Sequence, residues 1–104
     1  MPEVARKDGA DTVTSPDGGP NCGPATFHSN EGSGNVFANS IGIVRDGDKM
    51  ESHGDGNNNC APHAPTLSSF SGTVFVNGKG CGRKGDDYSS HTLSSGSGNV
   101  FAGG

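Results

Sequence analysis

The sequence predicts an all-β fold: a small cone or prism of short strands and loops with pseudo-three-fold internal repeats. Three observations predict it: a unit that recurs about three times, short Val-Phe segments bounded by Gly and Asn, and the absence of any sustained helical period. The chain has 104 residues, of which 19 are Gly, and a net charge of −4. We expect one domain, 1–104, whose apolar core is too thin to be stable without a staple or a partner.

The composition also excludes several classes of protein. No apolar run is long enough for a transmembrane helix, and residues 1–7 lack the apolar stretch of a secretory signal. The mildly acidic balance disfavours nucleic acid or an anionic membrane as the partner. Collagen is excluded because the glycines show no three-residue period.

The repeat is visible when the chain is shifted against itself by 38 residues. Identical pairs then coincide, among them Asp17-Gly18 with Asp55-Gly56, Asn21-Cys22 with Asn59-Cys60, and Ser52-His53 with Ser90-His91. A second offset, 26, aligns 66–69 with 92–95, so the last copy lacks the stretch 54–65. The predicted units are therefore about 7–44, 45–82 and 83–104, and the third is short.

Each unit centres on a predicted strand. The three strands are 35–39, 73–77 and 99–102, and their Val and Phe residues are good strand formers. In the two full copies a second short strand is expected, 41–45 and 80–83. Asn39-Ser40 and Asn77-Gly78 have the turn chemistry of tight hairpins.

The histidines and cysteines predict a metal staple at the vertex of the cone. Three cysteines cannot all pair within one chain, and the spacing Cys60-x2-His63 is a chelate that one tight loop can satisfy. His53 and His91 are repeat partners, and His with Cys suits tetrahedral zinc. We predict zinc, or alternatively iron, bound by His53, His63, His91 and Cys60, with Cys22 as the alternative to Cys60.

Other residues with reactive side chains are expected to be structural. His28 aligns with threonines and is expected to be unliganded, and Cys81 to be a small buried thiol. Asp48 and Asp86 follow glycines and are expected to bond turn amides, with Arg45 and Arg83 as partners. No nucleophile elbow is present, so we do not expect an enzyme.

Two stretches of the chain resemble the PAAR-repeat family. Segments 39–48 and 77–86 resemble its pattern Asn-Gly-x-Pro-Ala-Ala-Arg-x-Gly-Asp, and 32–36 and 96–100 match the Gly-Ser-x-x-Val element that precedes it. Pro-Ala-Ala itself is replaced by Gly42-Ile43-Val44 and by Gly80-Cys81-Gly82. The resemblance is thus to the repeat framework, and it covers about 4–104.

The resemblance implies a structural role. PAAR proteins are small cones that cap and sharpen the end of a trimeric β-helical, membrane-piercing spike in contractile injection machines, and they hold zinc through three His and one Cys. It implies a spike tip on the baseplate of a contractile phage tail, located in the virion, or a protein secreted through a type VI secretion apparatus. No fused effector segment is expected.

The repeat also predicts how the partner binds. Three similar units present three similar surfaces, so one cap per trimer is expected, with the host cell envelope contacted transiently. The partner-binding residues are expected to be the Val-Phe pairs Val36, Phe37, Val74, Phe75, Val100 and Phe101. No small-molecule substrate is expected. The alternatives are a small zinc metalloenzyme and a Gly-rich surface or adhesive protein.

Overall fold

The computed structural model describes residues 2–56 and 59–103. Its regular structure consists of short strands, which confirms the all-β prediction. The strands are β1 (Thr12–Ser15), β2 (Ala25–His28), β3 (Phe37–Ala38), β4 (Ile41–Gly42), β5 (His53–Gly54), β6 (Pro62–His63), β7 (Phe75–Val76), β8 (Lys79–Gly80) and β9 (Thr92–Leu93). Within the described ranges the single helical segment is the 3-10 turn Pro20–Cys22, and no helix there is long and apolar enough to cross a membrane.

Two tight hairpins form where the sequence predicts them. β3 pairs antiparallel with β4 and β7 with β8, through the turns Asn39-Ser40 and Asn77-Gly78. All four turn residues have positive φ, between 53° and 76°, as a two-residue hairpin of this kind requires. The strands are shorter than predicted, because each chain segment leaves its hairpin after two residues and pairs elsewhere.

One set of ion-pair contacts occurs three times. In each pair an Arg side chain binds an Asp through Nε and Nη2, and the amide of the same Arg donates to the same carboxylate. The pairs are Arg6–Asp11, Arg45–Asp48 and Arg83–Asp86, with Nε–Oδ2 distances of 3.0, 2.9 and 2.9 Å. The expected roles of Asp48 and Asp86 as turn carboxylates paired with arginines agree with this geometry.

The backbone repeats in the same way. Val44 N–H donates to the carbonyl of Ala5, Ala5 N–H to that of Gly82, and Gly82 N–H to that of Val44. The three distances are 2.9, 3.0 and 2.8 Å, so the bonds form a closed cycle. This cycle ties together three segments that are far apart in the sequence.

Residues 3–6, which lie outside the three predicted units, complete the C-terminal one. Glu3 pairs with Phe101, the amide of Val4 donates to the carbonyl of Val100 at 2.8 Å, and the amide of Lys84 donates to Glu3 at 2.7 Å. These residues stand where the second strand of a hairpin stands in the full copies. The short last copy is therefore completed by the first residues of the chain.

Two apolar clusters occupy the interior. The first, the lower core, is formed by residues next to the hairpins: Val4, Ala38, Ile43, Val76, Cys81 and Ala102. The second, the upper core, contains Ala5, Val13, Val44, Met50, Leu67, Tyr88 and Leu93. Consecutive residues such as Val4-Ala5 and Ile43-Val44 divide between the two, so the clusters are adjacent layers. Cys81 is a buried free thiol, as expected.

Three arms continue from the upper core and differ in length. The first, 12–28, pairs β1 with β2; the second, 50–66, carries the β5–β6 hairpin. The third, 86–93, reverses at once through Ser89 and Ser90 because it lacks the stretch equivalent to 54–65. The molecule measures 37 × 23 × 23 Å, which is elongated in one direction.

A disulfide joins the two long arms, and it corrects the metal prediction for the thiols. Cys22 and Cys60 are repeat partners 38 residues apart, and each follows an Asn in a turn of positive φ. Their Cα atoms are 5.8 Å apart, within the normal range for a disulfide. An odd number of cysteines excludes only the pairing of all three, and the symmetry of the two arms brings this pair together.

Candidate metal centre

The arms bring four polar side chains to one point beyond the upper core. They are Asp17 from the first arm, His53 and His63 from the second, and His91 from the third. One ligand atom of each lies within 4.8 Å of all the others. Asp17, His53 and His91 are buried, and His63 is partly exposed.

The strand register places the histidines. His53 lies directly opposite His63 in the β5–β6 pair, and side chains of directly opposite residues lie on the same face of a hairpin. His91 immediately precedes β9 and closes the tight turn at Ser89-Ser90. Its Nε2 atom is 3.0 Å from that of His53, its repeat partner.

Asp17 is held by its neighbours in the sequence and by the second arm. The Ser15 hydroxyl donates to Asp17 Oδ1 at 2.9 Å, and the Gly56 amide donates to Oδ2 at 3.1 Å. Gly18 follows with φ of +89°, and a side chain there would come within 2.8 Å of the rings of His53 and Phe27. A glycine is thus needed at position 18 for the first arm to pack against the cluster.

The ligand atoms lie within 4.8 Å of one another, so small side-chain movements would let one ion contact all of them. Asp17 Oδ1 is 2.8 Å from His53 Nε2 and 2.9 Å from His91 Nε2. His63 Nε2 is 2.9 Å from His53 Nε2 and 3.4 Å from Asp17 Oδ2. Ligands about 2.0–2.2 Å from a tetrahedral ion are somewhat more than 3 Å from one another, so little rearrangement is required.

Hydrogen bonds at the far side of two rings explain why a cation fits here. The Nδ1 atoms of His53 and His91 lie 2.9 Å from the backbone carbonyls of Glu51 and Ser89. A carbonyl only accepts, so each Nδ1 carries the proton, and in the neutral ring each Nε2 presents a lone pair. Lone pairs and a carboxylate that converge at 3 Å repel one another unless a cation lies between them.

The charge of Asp17 agrees with this arrangement. Burial opposes its ionisation, but the hydrogen bonds that the Gly56 amide and the Ser15 hydroxyl donate to the carboxylate favour the charged form and hold the pKa of Asp17 well below its usual range. Asp17 is therefore a carboxylate at neutral pH. Three imidazole nitrogens and one carboxylate oxygen form a donor set that suits zinc or iron.

The structure brings together three of the predicted ligands and not the others. His53, His63 and His91 are in the cluster, whereas Cys60 and its alternative Cys22 are bonded to each other. His28, expected to be unliganded, is exposed and lies 3.2 Å from Glu51. The fourth position belongs to Asp17, which the sequence analysis did not select.

Two sequence signals could have identified Asp17. It aligns with Asp55 at the 38-residue offset, and Ser15 occupies the position that His53 and His91 hold in the other copies. The arm without a repeat-equivalent histidine was therefore the one that needed another ligand. A carboxylate two residues after Ser15 supplies it.

Three aromatic side chains are exposed on the hairpins beside the lower core, away from the candidate metal centre. Phe37, Phe75 and Phe101 are 55, 61 and 48% exposed, and we call them the phenylalanine rim. Val36 and Val100 pack against the lower core, whereas Val74 is 38% exposed. In two of the three Val-Phe pairs, therefore, the Val packs inward and the Phe faces outward, because side chains alternate along a strand.

Comparison of the sequence with protein-family models and with curated proteins finds no match.

Proposed function

We propose that this chain is the structural tip of a trimeric β-helical spike, a pseudo-three-fold cone that caps the spike and sharpens it. The observation that carries the proposal is the phenylalanine rim. Its three aromatic side chains stand at equivalent positions of three hairpins, opposite Gly42, Gly80 and Glu3. A partner with three-fold symmetry can contact all of them in the same way.

The rim has the chemistry of a contact surface. Three of the five Phe residues are exposed, and clustered exposed aromatic side chains mark interaction sites. Among the described residues β3 and β7 each pair with one strand only, so the strands of a β-helix can extend their other edge through main-chain hydrogen bonds. Burial of the rim would supply the apolar surface that the small core lacks.

The cluster at the opposite end supports the same role. Few apolar side chains fit where three arms converge, so a bound ion would replace a core there. Asp17, His53, His63 and His91 would hold zinc, or alternatively iron. Four protein ligands favour a structural site over a catalytic one, and so favour the tip over a small metalloenzyme.

The setting follows from the PAAR resemblance of the sequence. The spike would belong to the baseplate of a contractile phage tail or to a type VI secretion apparatus, where the tip meets the cell envelope for the short time of puncturing. The trimeric spike is the proposed partner, with no nucleic acid and no small-molecule substrate. The protein would act by its rigidity and shape.

The test measures, by isothermal titration calorimetry, the affinity of the chain for a trimeric β-helical spike protein encoded near it. The triple variant Phe37→Ser/Phe75→Ser/Phe101→Ser should lose binding by about a hundredfold or more and keep its fold. The control changes three exposed residues of the first arm, Thr14→Ser/Thr26→Ser/His28→Ser, and should bind like the parent chain. Equal binding by both variants would contradict the proposal.

A further inference from the structure

One side of the candidate metal centre opens into a cavity of about 360 Å³. Three of the four cluster residues line it, namely Asp17, His63 and His91. His53 does not, because its ring is stacked on Phe27 with 4.6 Å between the centroids. The opening is therefore on one particular side of the cluster.

The short third arm explains the opening. Where the second arm continues into the β5–β6 hairpin, the third arm turns back at Ser89 and Ser90, and both residues lie on the cavity wall. The three histidines of the cluster are therefore unequally exposed to solvent. His63 is 26% exposed, against 1% for His53 and 4% for His91.

We propose that an ion bound by these four residues has a further coordination position facing the cavity, and that this position takes an exchangeable, water-sized ligand. The inference rests on the proposed metal site. Its ligand is water, or a small anion such as azide that replaces water. Zinc sites with an open position can expand to five ligands, so a fifth ligand is compatible with four bound side chains where a cavity reaches the ion.

Charge and size define the ligand. The Asp17 carboxylate cancels one charge of a divalent ion and the neutral imidazoles cancel none, so one positive charge remains to attract an anion. Water occupies about 30 Å³ in the liquid, so the cavity has room for a small ligand and its own hydration. Ser89 and Ser90 line the wall, and their hydroxyl groups are hydrogen-bond donors beside this position.

The first test uses the whole chain loaded with Co²⁺, whose visible absorption reports the number and kind of its ligands. Addition of azide should change the spectrum saturably, with a new charge-transfer band. If Co²⁺ binds and the spectrum stays constant to about 0.5 M azide, several thousand times a protein concentration of about 0.1 mM, the open position is refuted while the metal site stands. If Co²⁺ does not bind, the metal site and this inference fall together.

The second test blocks the cavity without touching a ligand. Ala64 lines the cavity, and Ala61, in the same arm, is outside it. Ala64→Trp should weaken azide binding to the Co²⁺ form by about tenfold or more, whereas Ala61→Trp should change it by less than about twofold. Both variants should keep one Co²⁺ per chain. Equal azide affinity in the two variants would overturn the assignment to this cavity.

Discussion

The two ends of the molecule use the same repeat in opposite ways. At the phenylalanine rim the three units contribute the same residue type at the same position, and each Phe is about half exposed. At the candidate metal centre the units contribute unequally: one aspartate, two histidines and one histidine. The arms also differ in length, and only the first two are joined by a disulfide.

The difference fits what each end is proposed to contact. A surface that meets a trimer benefits from three equal contacts, because each adds to the same binding event. A single ion with four or five ligands gains nothing from three-fold symmetry. The repeat could therefore diverge around the ion while the rim kept three equivalent positions.

The largest expected effect is at the metal centre. His91→Ala should lose the ion and lower the free energy of unfolding by about 4 kcal/mol or more, the stabilisation expected when the ion is present at about a thousand times its dissociation constant. Chelator should destabilise the parent chain by the same amount. His28→Ala, which removes an exposed histidine, is the control and should change neither metal content nor melting temperature. Unchanged stability of His91→Ala would mean that no ion holds the vertex.

The disulfide between the long arms should have the next largest effect. For a loop of 38 residues the chain-entropy estimate gives about 4 kcal/mol, and engineered cases deliver less. The variant Cys22→Ser/Cys60→Ser should lower the free energy of unfolding by about 2–4 kcal/mol. It should still bind one ion per chain, because Asp17 is the fourth ligand. Loss of the ion in this variant would instead favour a cysteine ligand.

The sequence predicted the rim more fully than the metal centre, for a physical reason. Repeat arithmetic finds equivalent positions, so the hairpins and the equivalence of Phe37, Phe75 and Phe101 could be deduced from the offsets, whereas the exposure of these Phe residues could not. The ligand Asp17 breaks the repeat, and its role depends on how Ser15 and Gly56 hold it. Likewise, β1 and β2 are longer than the hairpin strands, yet the offsets gave no signal for them.

A smaller effect on stability is expected in the middle of the molecule, where the three units are most alike. Arg6→Lys, Arg45→Lys and Arg83→Lys each replace a bidentate guanidinium that binds a buried carboxylate. Lysine cannot make both bonds, so each change should cost about 2 kcal/mol. Urea unfolding should give three values that agree within about 0.5 kcal/mol. Widely different values would indicate that the three pairs are equivalent in geometry only.

The smallest expected effect concerns Cys81 in the lower core. Burial raises the pKa of the Cys81 thiol to about 11, Asp86 adds to the shift, and Arg83 opposes it. The thiol of the unfolded chain ionises near pH 8.5, so stability from the neutral buried thiol is present below that pH and falls as pH rises toward 11. Urea unfolding at pH 8 and pH 10 should show a larger loss for the parent chain than for Cys81→Ala. An identical loss in both would contradict the burial of this thiol.

The most direct test of the proposed function is the mass of the complex between this chain and a trimeric β-helical spike. Native mass spectrometry should give one chain per trimer, because all three rim positions of one cap would engage one spike end. Loss of the complex in the triple Phe→Ser variant should accompany that ratio. Three caps per trimer, or no complex with the parent chain, would contradict the account.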